Sequence, residues 1–111
     1  MRVLLDECVD RRLAREITGH EVQTVTGLGW ASVRNGELLA SAEGGFDAFV
    51  AVDRNLAFQQ NTLRYSFAVL ILRAHSNRLA DLRRLVPRLL EALPGARPGQ
   101  VTWVERISTA C

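Results

Sequence analysis

Lysine is absent from all 111 residues, and the 14 basic side chains are every one an arginine. Any mechanism that requires an ammonium group is thereby excluded. Arginine's planar fork suits bidentate phosphate contacts, but a biased genome produces the same count, so arginine usage alone carries little weight for nucleic-acid binding. The net charge of +2 is close to balance. Cysteine is scarce too. Cys8 and Cys111 make neither a disulfide framework nor a metal-ligand spacing, and both read as reduced thiols in a reducing compartment. With no activating base near it in sequence, Cys8 reads as a small buried side chain. His20 and His75 lack partners at ligand spacing, which leaves surface or packing roles. No apolar run approaches the length of a membrane span, and no basic region followed by an apolar stretch precedes the first strand pattern. The expected location is the cytoplasm, without membrane association. Repeats and low-complexity tracts are missing as well.

What is present fits one domain over residues 1–111, large enough to bury roughly two thirds of its unfolded surface without a disulfide or a metal. The stretch from Arg2 to Asp10, RVLLDECVD, organises the rest. Val3, Leu4 and Leu5 run without alternation into Asp6 and Glu7, the pattern of a strand covered on both faces that stops at a sheet edge. Val9, Leu13 and Ile17 then recur at fourfold spacing and predict an amphipathic helix from Cys8 to Thr18, stopped by Gly19. Glu21 to Val25 is a short strand. Thr26 to Arg34 is a loop with two glycines and Trp30, which serves as a base-stacking platform or, the commoner case, packs onto the core. Asn35 offers a cap, and Glu37 a first-turn acid, for a helix over Gly36 to Glu43.

Asp47 to Asp53, DAFVAVD, repeats the opening design, an apolar run that ends on an acid. A polar, amide-rich segment with Gln59, Gln60 and Asn61 follows, with room for a short helix. Phe67 to Leu72 is the most apolar run and is placed at the centre of the sheet. Asn77 caps a helix whose face is Leu79, Leu82, Leu85, Val86, Leu89, Leu90 and Leu93, kinked or divided near Pro87. Gln100 to Ile107 reads as an edge strand. The strand and helix order gives an α/β fold, a three-layer α/β/α sandwich with a central, mainly parallel five-stranded sheet and right-handed crossovers.

In such a sheet every strand's carboxyl end lies on one edge, where ligands bind. Asp6, Asp53 and Glu37 belong to that edge. Neighbouring strands are about 4.8 Å apart, so acids at strand ends can share one divalent ion. Clustered carboxylates without histidine or thiolate suit Mg²⁺ or Mn²⁺, and the ion relieves their mutual repulsion. A bound ion that lowers the pKa of a water and clamps a phosphodiester supports hydrolysis without a nucleophilic side chain. Asn55 and Glu7 are additional ligands or water-positioning groups. Each acid also has a structural reading: Asp6 as a helix cap, Glu37 in the helix dipole, Asp53 at a turn. Arg73, Ser76, Asn77 and Arg78 reach the same edge and form either a phosphate site or a capped helix start with solvated arginines. Gln60 is a further candidate RNA contact.

The chain resembles the short bacterial PIN-like domains, relatives of the ribonuclease toxins of toxin and antitoxin pairs. The resemblance rests on LLDE at Leu4 to Glu7, HEVQTV at His20 to Val25, GLGW at Gly27 to Trp30 and NGELL at Asn35 to Leu39. FDAFVAVDRNLAFQQN at Phe46 to Asn61 and SNRLADL at Ser76 to Leu82 complete it. It implies a PIN-like α/β/α sandwich, a Mg²⁺ or Mn²⁺ site, RNA as substrate and a small antitoxin as partner. The family's acids fall on Asp6, Glu37 and Asp53. Where many PIN domains carry a fourth acid, this chain has Asn55, a neutral ligand that weakens a second metal site.

Two rivals remain. A signalling receiver domain also places an acid pair after its first strand and a phosphoacceptor aspartate after its third, which Asp6, Glu7 and Asp53 match, but that pattern calls for a lysine. A catalytically silent binding module is the other, with the acidic edge and the stretch Arg73 to Arg78 serving a protein partner or a homodimer; Asn55 favours it.

Overall fold

The computed structural model describes residues 1–30, 35–52, 64–76 and 78–105. Its five strands are β1 (Arg2–Leu5), β2 (Glu21–Thr24), β3 (Ala48–Ala51), β4 (Ala68–Arg73) and β5 (Val101–Glu105). They form one all-parallel sheet in the order β2-β1-β3-β4-β5. This is the expected α/β/α sandwich. The runs VLL, AFVA and AVLIL are buried throughout because β1, β3 and β4 are covered on both faces. β4 is interior, but β3 is the middle strand. β2 and β5 are half-buried edges, which was expected of β5 from its mixed polarity.

Alternation along the strands divides the core. Val3, Leu5, Val50 and Leu70 pack with Leu13, Leu82, Leu85 and Leu89 on one side, an aliphatic layer. Leu4, Phe49, Val69 and Ile71 face the other, where helix α1 (Asn35–Ala42) brings Leu38, Leu39 and Ala42 among Phe46, Tyr65 and Phe67. Trp30 packs half-buried against this second layer, edge-on to Phe46. Each fully buried Leu, Val or Phe contributes about 1.5–3 kcal/mol relative to exposure.

Two local expectations are corrected, and a third, division of the long helix near Pro87, is met. The helix predicted from Cys8 to Thr18 is a 3-10 helix, η1, of only Arg11–Glu16. The chain first turns back at Asp6, whose carbonyl accepts the Val9 N–H at 3.0 Å, and Asp10 then caps η1 by accepting the Arg12 N–H at 2.9 Å. Val9, Leu13 and Ile17 are buried all the same, so their spacing reports which residues face the core and not the helix type. Cys8 is exposed in that turn and is not a buried side chain. The long helix is divided into α2 (Leu79–Arg83) and α3 (Val86–Ala92), followed by a 3-10 turn, η2 (Leu93–Gly95). Pro87 sits in the first turn of α3, where its missing N–H costs nothing. Among the described residues no helix is long and apolar enough to cross a membrane.

Candidate active-site edge

Strand order reverses at β1: β2 lies on one side of it and β3, reached by crossing back, on the other. In open parallel sheets this reversal opens a crevice beyond the strands' carboxyl ends, the usual ligand site of the architecture. Asp6 stands there. Its N–H continues the ladder to β3 by donating to Val50 O at 2.9 Å, while on the other side the Val25 N–H donates to Leu5 O at 2.9 Å. Asp6 is thus fixed between two strands. At 8% exposure it is the one buried charged residue among those described. Withdrawing a carboxylate from water is costly, and its burial marks Asp6 off from an ordinary surface acid.

The other described acids help to sort its role. Asp10, not Asp6, caps η1, and its carboxylate also grips the Arg12 guanidinium at 3.1 and 2.8 Å. That contact holds the Asp10 carboxyl at about 2, below its ordinary 3.8. Glu16 pairs with Arg83 at 2.8 Å, Glu91 with Arg88 at 3.1 Å, and Asp47 accepts the Arg2 N–H at 2.7 Å. Glu43 accepts the N–H and hydroxyl of Ser66. These acids have work within the fold. Glu37 is exposed in the first turn of α1, on the layer that packs against Leu4 and Phe49, a position that satisfies the helix dipole and leaves the carboxylate in solvent. Glu7 is exposed beside Asp6. Asp53, Asn55, Gln60 and Asn77 lie outside the described residues, as do the side chain of Asn35, the predicted helix in the amide-rich segment, and Cys111. Among the described residues no three His, Cys, Asp or Glu side chains come together.

At the end of β4, the Arg73 guanidinium is 3.5 Å from the Glu105 carboxylate and stacks over Trp103 with its carbon 5.4 Å from the ring centre. The Ser76 hydroxyl donates to Asp81 at 2.5 Å and accepts the Arg78 N–H at 3.1 Å, so it ties down the entry to α2. Arg78 is exposed. Arg73 and Arg84, with His75, Asp81 and Leu85, line a hollow of about 300 Å³. A second hollow, about 880 Å³ with its open mouth, lies at the other end of the same edge, lined by Arg11, Arg12, Arg15 and Thr24. Sequence reasoning passed over Arg84 and these three arginines. The available signal was the spacing of Arg12 and Arg15, which a 3-10 helix of three residues per turn stacks in one row and an α-helix does not bring as nearly into line.

The two histidines have unlike settings. His75 lines the smaller hollow, whereas His20 keeps its Nδ1 buried without a hydrogen-bond partner in the turn before β2. Neither stands with an acid cluster. No family model, curated protein or solved structure matches this chain.

Proposed function

We propose that the chain is a PIN-like, metal-dependent ribonuclease that cleaves single-stranded RNA at the carboxyl edge of its sheet, with Asp6, Glu37 and Asp53 as its acids. The observation that carries this reading is Asp6: a buried carboxylate, fixed between β2 and β3 at the strand-order reversal, with the capping duty already discharged by Asp10. The donor set, carboxylates with the Asn55 amide, is made of hard oxygens and fits Mg²⁺ or Mn²⁺ better than zinc. Such an ion supplies an acidified water and neutralises phosphodiester charge. Asp6 would contribute an oxygen from a residue whose backbone the ladder fixes, Glu37 one from an exposed side chain at a helix start, and Glu7 would orient water nearby. Within this reading a small antitoxin is the partner and the cytoplasm the setting.

Incubation with end-labelled single-stranded RNA and either ion tests it. Cleavage is expected, and Asp6→Asn or Asp53→Asn lowers its rate about a hundredfold or more, as loss of a ligand exceeds the 10–100-fold typical of outer-shell partners. Calorimetric Mn²⁺ binding should fall in parallel. If neither ion supports cleavage, and these substitutions raise the melting temperature while metal leaves it unchanged, the silent binding module takes the place of the nuclease. The receiver reading shares the acid placement but lacks the lysine its chemistry requires.

A further inference from the structure

The hollow between η1 and β2 has no assigned role. Among the described residues three arginines and one threonine line it, and no acid does. Arg12 is held by its fork to Asp10, while among the described residues no hydrogen bond or ion pair engages the guanidinium of Arg11 or Arg15. With Asp10 counted against Arg12, two positive charges remain at the mouth. Thr24 is level with Leu5 across the β1–β2 ladder, so the hollow opens beside the strand that ends at Asp6, one residue before that end. Its floor is firm: the Thr24 hydroxyl accepts the Gly27 N–H at 2.9 Å, and Asp10 fixes η1 at its first turn.

We propose that this hollow is a phosphate-backbone site that holds the strand of a single-stranded nucleic acid flanking the position cut at Asp6, with Arg11 and Arg15 as its phosphate ligands and Arg12 as a fixed, partly neutralised wall. The occupant rests on the nuclease reading; the chemistry rests on the guanidinium groups. A water-facing arginine pair that no side chain grips among the described residues gains little for the fold, since exposed like charges repel, whereas planar guanidinium groups near a reactive edge match consecutive phosphates. Such a site reads phosphate and not base, so it has no sequence preference.

The test is fluorescence anisotropy of labelled oligouridylate and oligothymidylate in EDTA, across about 50–200 mM salt, so that binding is measured without metal or cleavage. Each phosphate contact to a single strand contributes about −0.7 to the slope of log K against log salt. Arg11→Gln with Arg15→Gln should therefore flatten the slope by about 1.4 and weaken both oligomers about tenfold. Arg11→Lys with Arg15→Lys should keep most of the slope, because the charge survives, which separates a phosphate contact from a structural role. Arg97→Gln, an exposed arginine before β5 at the opposite edge, should change neither quantity. Unchanged binding in the Gln pair overturns the inference, as does an equal loss in Arg97→Gln or no binding by the wild-type chain. Loss of binding in the Gln pair without metal-dependent cleavage by the wild type keeps this site and removes the nuclease; cleavage with unaffected binding does the reverse.

Discussion

Two arginine-lined hollows sit at opposite ends of one sheet edge, and they differ in how their charge is answered. At the β4 end, Glu105 meets Arg73, Trp103 stacks against it, and Asp81 shares the lining with Arg84. At the β2 end, three arginines and no acid line the wall among the described residues; Asp10 grips Arg12, and Glu16 turns to Arg83. The first is a junction whose charges largely serve the fold. The second is a surface whose charges look outward. Arginine density alone does not distinguish them; the difference lies in which carboxylates the fold delivers beside each cluster.

The comparison is most exposed to charge reversal. Arg11→Glu with Arg15→Glu should weaken oligouridylate binding about a hundredfold, the roughly tenfold loss of the neutral pair and about as much again from the repulsion of two carboxylates against phosphate. Arg73→Glu with Arg84→Glu should cost about tenfold or less, through net charge alone. Equal losses in titrations at matched salt would erase the distinction. A smaller effect concerns the floor of the β2 hollow. A Cβ on Gly27 would lie 2.8 Å from the Thr24 hydroxyl oxygen, so Gly27→Ala should destabilise the fold by about 1–3 kcal/mol in urea denaturation. Smaller again, Glu105→Gln releases Arg73 from a surface pair of about 0.2–1 kcal/mol; oligomer affinity should rise about twofold and the salt slope steepen by up to about 0.7.

The smallest expected effect is a pH dependence. Arg12 depresses the Asp10 carboxyl from 3.8 to about 2, so Asp10 stabilises the fold above pH 3.8 and that contribution is lost as pH falls towards 2. Melting curves of wild type and Asp10→Asn should differ at neutral pH and converge at the acid end of that window. Curves that stay parallel would detach Asp10 from the fixing of η1.

The buried strands were plain in the sequence because VLL, AFVA and AVLIL are apolar without alternation, and only double-sided cover explains that. The parallel class followed from the helical patterns between them. The strand order did not, since five strands joined by crossovers admit many orders with the same burial. Asp6 could be picked out as a strand-ending acid, but its burial, and the transfer of capping to Asp10, required the turn that the Val9 N–H makes to Asp6 O. That same turn explains why the spacing of Val9, Leu13 and Ile17 suggested an α-helix that did not form, and why Cys8 faces solvent. In η1 only Arg12 and Arg15 align through 3-10 geometry; Arg11 and Arg15, four apart, share a face on an α-helix as well, and what the sequence did not show was the hollow that η1 forms with Thr24.

The strand order also sets a timetable. β1 has two edges: β2 takes the first when the chain has reached Thr24, but the second waits for β3, complete only at Ala51. At about 5–20 residues synthesised per second, the 27 intervening residues leave an apolar RVLL edge open on the nascent chain for about 1–5 s. From then on each strand joins the side just vacated, β4 beside β3 and β5 beside β4, and none must be threaded between two already placed. By the same count the far edge of β3 waits 22 residues for β4, and that of β4 waits 32 for β5, so the longest exposure comes late and falls on the most apolar strand, AVLIL, while the strand that carries Asp6 is covered on both sides first.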